Sequence, residues 1–146
     1  MDFWTDILPA VEAAEDKLAS VGDSMDQLPK SVRTFLLVNG AQGVMDNGGY
    51  AYFFGCNWPD TPPYSEFVSA YEAIGCKRQA ADLRRVAESF PFPDPHLNEK
   101  KRKAFIKANY DKKAFCVRGW GNALCGDKDV WEKLAKYFKK HSKDFD

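Results

Sequence analysis

The sequence holds no apolar run near the ~18 residues that a membrane-crossing helix needs. It opens Met1-Asp2-Phe3-Trp4-Thr5-Asp6, whereas a secretory leader starts with positive charge followed by an apolar stretch. A soluble, cytoplasmic protein with no membrane partner is expected. Histidine is scarce, with only His96 and His141, and the cysteines Cys56, Cys76, Cys116 and Cys125 are 20, 40 and 9 positions apart. None of them forms the close Cys-x-x-Cys pair of a zinc site, so no metal is expected and the thiols are read as reduced and mostly buried. Gly-x-Ser-x-Gly, His-Glu-x-x-His and the Gly-x-x-x-x-Gly-Lys phosphate loop are all missing. A nucleophile needs a base oriented by a third group. Here His96 falls in proline-rich coil, His141 in a basic tail, and the Glu12/Asp16 pair faces water. No enzymatic activity and no cofactor are expected.

What is present suits a folded chain. The 146 residues are 45% hydrophobic, 29% charged and 14% aromatic, enough for a single domain over 1–146 with a real core and too apolar for disorder. The formal net charge is zero, but it is unevenly laid out: residues 1–98 carry 14 acidic and 7 basic residues, and residues 99–146 carry 7 acidic and 14 basic. Residues 1–29 alone hold seven acids and one lysine, Lys17.

Apolar spacing predicts helices. Phe3, Ile7, Val11, Ala14, Leu18, Val21, Met25 and Leu28 recur at alternating steps of four and three, which is one helical stripe. Pro9 is expected to open that helix after a short first turn, and Gly22 to end it. Pro29 starts a second segment, residues 30 to about 45, which Asn39-Gly40 could interrupt. The aromatic run Tyr50-Ala51-Tyr52-Phe53-Phe54 suits a short strand or a buried helix equally, and residues 55–63 read as loop. Two further helical faces, Phe67/Val68/Tyr71/Ile74 closed by Gly75 and Ala80/Leu83/Val86/Ala87/Phe90, should pack antiparallel. Phe90-Pro91-Phe92-Pro93-Asp94-Pro95 reads as an extended connector. Asn98 is placed to cap a basic helix from 99 to about 109 with Phe105, Ile106 and Tyr110 inward. Residues 114–126 are glycine-broken and ambiguous. Asp127 and Asp129 precede a last helix with Val130, Trp131, Leu134, Ala135 and Phe138 on its face and a basic end. The sum is an all-α compact bundle of six or seven helices, with basic helices over 98–142.

Three clusters are candidates for function. Asp2, Asp6, Glu12, Glu15, Asp16, Asp23 and Asp26 could form an acidic partner-binding surface: duplex DNA carries one negative charge per ~1.7 Å of axis, and carboxylates along a rigid helix can imitate that row. Asp46 and Asp60 are outliers to this group. Lys100, Lys101, Arg102, Lys103 and Lys107, with Lys112, Lys113 and Arg118 beyond them, could touch phosphates, but a solvated helix face is the preferred account and direct nucleic-acid binding is disfavoured. Asn47-Gly48-Gly49 is best read as a tight turn delivering Tyr50, Phe53 and Phe54 to the core, with Asn47 free to cap a following helix. A cleft lined by Asn47, Tyr50, Tyr52 and Trp58 would instead raise an unrecognised enzyme site.

The stretch Val44-Met45-Asp46-Asn47-Gly48-Gly49-Tyr50-Ala51-Tyr52-Phe53-Phe54 resembles the Asn-Gly-Gly-aromatic signature of a bacterial family typified by a DNA-mimic protein. Ala70-Tyr71-Glu72-Ala73-Ile74-Gly75-Cys76, then Ala80, Leu83, Ala87 and Phe90-Pro91, is similar to that family's second block, so the resemblance spans roughly residues 30–92. It differs in having Tyr52 where a polar residue such as Gln is expected, and in being neutral overall. The resemblance implies a mostly helical, often dimeric domain without enzymatic activity, which covers the basic face of a DNA-binding regulator or, in immunity-like relatives, a toxin.

Overall fold

The computed structural model describes residues 2–109 and 124–146. Within them lie six α-helices and no strand: α1 (Trp4–Ser20), α2 (Lys30–Gly55), α3 (Tyr64–Ala73), α4 (Lys77–Ala87), α5 (Glu99–Asn109) and α6 (Lys128–Lys140). Short 3-10 turns cover Met25–Gln27, Pro95–Leu97 and Ser142–Phe145. The fold is the all-α bundle that the helical spacings predict. Tyr110, Lys112, Lys113, Cys116 and Arg118, and all but the end of the ambiguous 114–126 stretch, lie outside the described residues. No described helix is long and apolar enough to cross a membrane.

Most helix boundaries follow local chemistry. α1 ends where Gly22 takes a φ of +65° and Asp23 donates its backbone N–H to the Leu18 carbonyl, a closing turn that glycine adopts without strain. Asn98 accepts the Lys101 backbone N–H at 3.1 Å and so caps α5. Asp127 accepts from the Asp129 backbone N–H at 3.0 Å and caps α6. Gly75, at φ +92°, lets α3 turn back along α4.

Two expectations need correction. α1 does not restart at Pro9 but runs unbroken through it. The ring sits on the exposed side, so the one helical bond that proline forfeits leaves the Thr5 carbonyl in water, while Ile7, Ala10 and Ala14 on the opposite side are fully buried. Likewise α2 passes through Asn39-Gly40, where the missing side chain of Gly40 admits the Trp58 ring: a Cβ there would lie 3.3 Å from it. The aromatic run is helix, not strand, and forms the last turn and a half of α2 beyond a kink at Gly48 and Gly49.

That kink matters for the core. Gly49 has φ +62° and ψ −157°, a conformation open essentially to glycine alone. Gly48 has ordinary extended φ, but a Cβ there would overlap the Tyr52 ring. The bend swings Tyr50, Phe53 and Phe54 inward, all buried. Phe53 meets Tyr64 and Phe67 edge-on at 5.8 and 5.0 Å, and Phe54 meets Tyr64 and Phe90 at 4.8 and 5.3 Å. Asn47 does not cap the second piece. Its side-chain amide donates back to the Gly43 carbonyl at 3.0 Å, stitching the turn before it.

Candidate functional site: the acidic flank of α1

Helical geometry divides the surface of α1 into two flanks on either side of its buried stripe, at about 100° of rotation per residue. Asp6 and Lys17 fall on one flank. Glu12, Glu15 and Asp16 fall on the other, together with Trp4 and Leu8. The C-terminal segment packs against the first flank: Lys139 of α6 pairs with Asp6 at 2.9 Å, and Lys17 donates to the Asp146 backbone carbonyl at 2.7 Å. The basic end of the chain thus neutralises Asp6 and leaves the other side alone. Glu12, Glu15 and Asp16 are exposed and make no hydrogen bond or ion pair to the described residues. They occupy about 6 Å of helix axis at 1.5 Å per residue, a mean spacing of about 3 Å that is near the ~3.4 Å per charge of a single DNA strand.

The remaining early acids are scattered. Asp2 is exposed but works at the start of α1, accepting the Trp4 backbone N–H at 3.0 Å and the Thr5 hydroxyl at 3.3 Å. Asp23 sits in the closing turn with φ +62°. Asp26 is exposed and lies 4.0 Å from Arg33, which bonds Glu66 more closely at 2.5 Å. The seven candidates therefore reduce to a core of three contiguous carboxylates with dispersed neighbours.

The outlier Asp46 is half-buried, and its carboxylate is engaged by internal partners. It accepts from the Gln42 amide, the Gly126 backbone N–H and the Trp131 indole, each at 2.8 Å. Gln42 in turn donates to the Leu124 carbonyl at 2.6 Å and accepts the Tyr71 hydroxyl at 2.9 Å. This network ties α2 to α3, α6 and the segment before α6. Spacing along the chain gives no hint of it, since its members are up to 85 positions apart.

The basic alternative loses its central member. Arg102 is 1% exposed, and its guanidinium spends its donors inward: Nε on the Phe54 carbonyl at 2.8 Å, Nη1 on Pro95 and His96 carbonyls at 2.8 and 3.2 Å, Nη2 on the Cys56 carbonyl at 3.1 Å and Asn57 Oδ1 at 2.7 Å. It clamps the end of α2 to the turn before α5 and cannot reach a phosphate. Of its neighbours, Lys103 pairs with Glu99 at 2.6 Å and Lys101 lies over the Phe92 ring at 5.8 Å, while Lys100 and Lys107 are exposed.

Among the described residues, Asn47, Tyr50, Tyr52 and Trp58 do not converge on a cleft. Tyr50 is buried and donates to Asp82 at 2.7 Å; burial, reinforced by that bond, pushes its pKa far above the tyrosine range. Trp58 packs edge-on to Phe53 at 5.2 Å, and Tyr52 lies exposed over Gly48. Cys56, Cys76 and Cys125 are free thiols, and among the described residues no group of three or more His, Cys, Asp or Glu is placed to hold a metal ion.

No curated protein and no solved structure matches the chain. The family model of DMP19-like proteins matches residues 26–144. That range takes in α2 to α6 and leaves α1 outside it, with six of the seven acids; only Asp26 falls within. On a match covering most of its length, the chain belongs to the DMP19-like protein family.

Proposed function

We propose that this protein is a non-enzymatic, cytoplasmic binding domain that uses the acidic flank of α1 to cover a basic partner protein, either a DNA-binding regulator or a nuclease-type toxin. The observation that carries this reading is the row Glu12, Glu15 and Asp16, exposed and unpaired on the flank turned away from Lys139 and the C-terminal segment. A rigid helix holding three carboxylates at this spacing offers the partner's lysines and arginines what a phosphate row offers, with little ordering cost on binding. The family match supports the scaffold, and the charged helix lies outside the matched range. Association of two copies, which the resemblance implies, would present two such rows.

The test is affinity capture from native lysate with the wild-type chain and an E12K/E15K/D16K variant as baits. The wild type should retain basic nucleic-acid-binding proteins that salt elutes, and the variant should lose them. Equal capture by both would overturn the electrostatic reading.

A further inference from the structure

α1 exposes more than carboxylates. Among the described residues, the large apolar side chains in the open are Trp4, Leu8, Tyr52 and Leu97. Tyr52 and Leu97 stand singly, which is ordinary for a protein surface. Trp4 and Leu8 are one helical turn apart, and continuing that row reaches Glu12 and then Glu15. Leu8 is 64% exposed and takes no part in the core, which α1 reaches instead through Ile7, Ala10 and Ala14. Trp4 is 43% exposed yet fixed in place. Its ring centroid lies 5.0 Å from Phe3 and 4.8 Å from Trp131, whose indole is itself held by Asp46. A pre-positioned aromatic beside an exposed leucine is the kind of anchor that dominates protein interfaces, and loses little freedom when bound.

We propose that α1 docks as a helix into a partner protein surface combining an apolar pocket, which takes Trp4 and Leu8, with an adjoining strip of lysine or arginine, which takes Glu12, Glu15 and Asp16. This rests on the reading of the acidic flank as a binding surface and adds what the partner must offer besides charge. The occupant is a different, basic protein: the complement of this row is positive charge next to an apolar hollow. In this protein's own basic helix α5 the guanidinium of Arg102 is turned inward, so that helix offers a second copy a weaker complement to the acidic row.

Two synthetic amphipathic helical peptides of equal Lys/Arg content serve as probes, one with a leucine stripe and the other with that stripe changed to alanine. Affinities are measured over a range of salt for the wild type, L8S and E12Q/E15Q/D16Q, after circular dichroism has shown unchanged helix content. The wild type should prefer the leucine peptide about tenfold or more, since one fully buried leucine accounts for that much. L8S should bring the ratio toward one and keep the salt slope; the acid variant should flatten the slope and keep the ratio. A wild-type ratio near one, or one that L8S leaves intact, overturns the apolar anchor alone. A salt slope that the acid substitutions do not change overturns the charged strip and the functional reading beneath it. Self-association by sedimentation that L8S abolishes would make the occupant a second copy and overturn the choice of partner.

Discussion

Arg102 shows how one side chain can matter without touching a partner. Its guanidinium satisfies carbonyls at the end of α2 and in the turn before α5, and removing it would strand several of these. Each buried orphan costs ~1–3 kcal/mol, so R102A should lower unfolding free energy by about 3 kcal/mol or more in urea titration. R102K should recover only part of that, because an ammonium has three donors on one atom where the guanidinium has a five-donor fork. A loss below about 1 kcal/mol would mean that solvent reaches these carbonyls. Cys76 and Tyr64 act through protonation. Burial pushes the Cys76 thiol from about 9 up to about 12, and the Tyr64 hydroxyl from about 10 up to about 12, Arg102 opposing the latter. Both are raised in the fold, so between pH 9 and 12 the folded chain binds more protons than the unfolded one, and stability falls as pH rises. It should be complete below about pH 9 and decline through 12. Urea midpoints from pH 8 to 11 should show this slope, with C76A flattening its early part; an unchanged slope in C76A would clear the thiol of any role.

At the scale of elements, the two glycines of the α2 kink are needed for different reasons, and a substitution series separates them. Gly49 holds a backbone conformation that other residues enter only under strain, so G49A should cost about 1–3 kcal/mol whatever surrounds it. Gly48 has permissive backbone but lies under the Tyr52 ring, so G48A should destabilise in the wild type and be relieved in a Y52A background. Thermal midpoints of the four combinations check this; failure of Y52A to rescue G48A would mean the backbone itself resists. The same kink marks the limit of what sequence pattern conveys. Helical faces such as Phe67/Val68/Tyr71/Ile74, the cap Asn98, and the acids Asp127 and Asp129 at the start of α6 were readable because they depend on neighbours within one turn. The strand-or-helix ambiguity of residues 50–54 was not resolvable locally, because tertiary aromatic contacts decide it. The continuity of α1 through Pro9 depends on which side faces water. Arg102 looked like one more surface cation because its five acceptors lie outside its own helix, at the end of α2 and in the turn before α5. The three carboxylates of the α1 flank were legible as acids, and helical rotation separates them from Asp6, but the neutralisation of Asp6 by Lys139 became visible only once α6 was placed against the helix.

For the whole molecule, net charge is a poor guide to what a partner meets. Charges cancel in sum, yet the cancellation is spatially partial: α6 lays Lys139 on Asp6, and the opposite flank of α1 keeps its carboxylates. Electrostatic steering depends on the local potential, and within roughly a Debye length, ~8 Å at physiological salt, a single lysine still dampens it. Removing that lysine should therefore enlarge the negative field without harming the fold, since a partly exposed ion pair contributes only ~0–1 kcal/mol. K139Q should bind the basic leucine-stripe peptide with an association rate a few-fold higher at low salt, the difference vanishing as salt rises, while the dissociation rate stays put. Asp6 provides the internal control. In the wild type D6N should lower the association rate, because it leaves the Lys139 charge unopposed; in the K139Q background it should take back most of the gain and return the rate to near that of the wild type. Stopped-flow fluorescence over a salt series reads all four chains. If K139Q associates no faster than the wild type, the lysine-rich end does not limit the field of α1, and the partition of charge between the two flanks has no consequence for encounter.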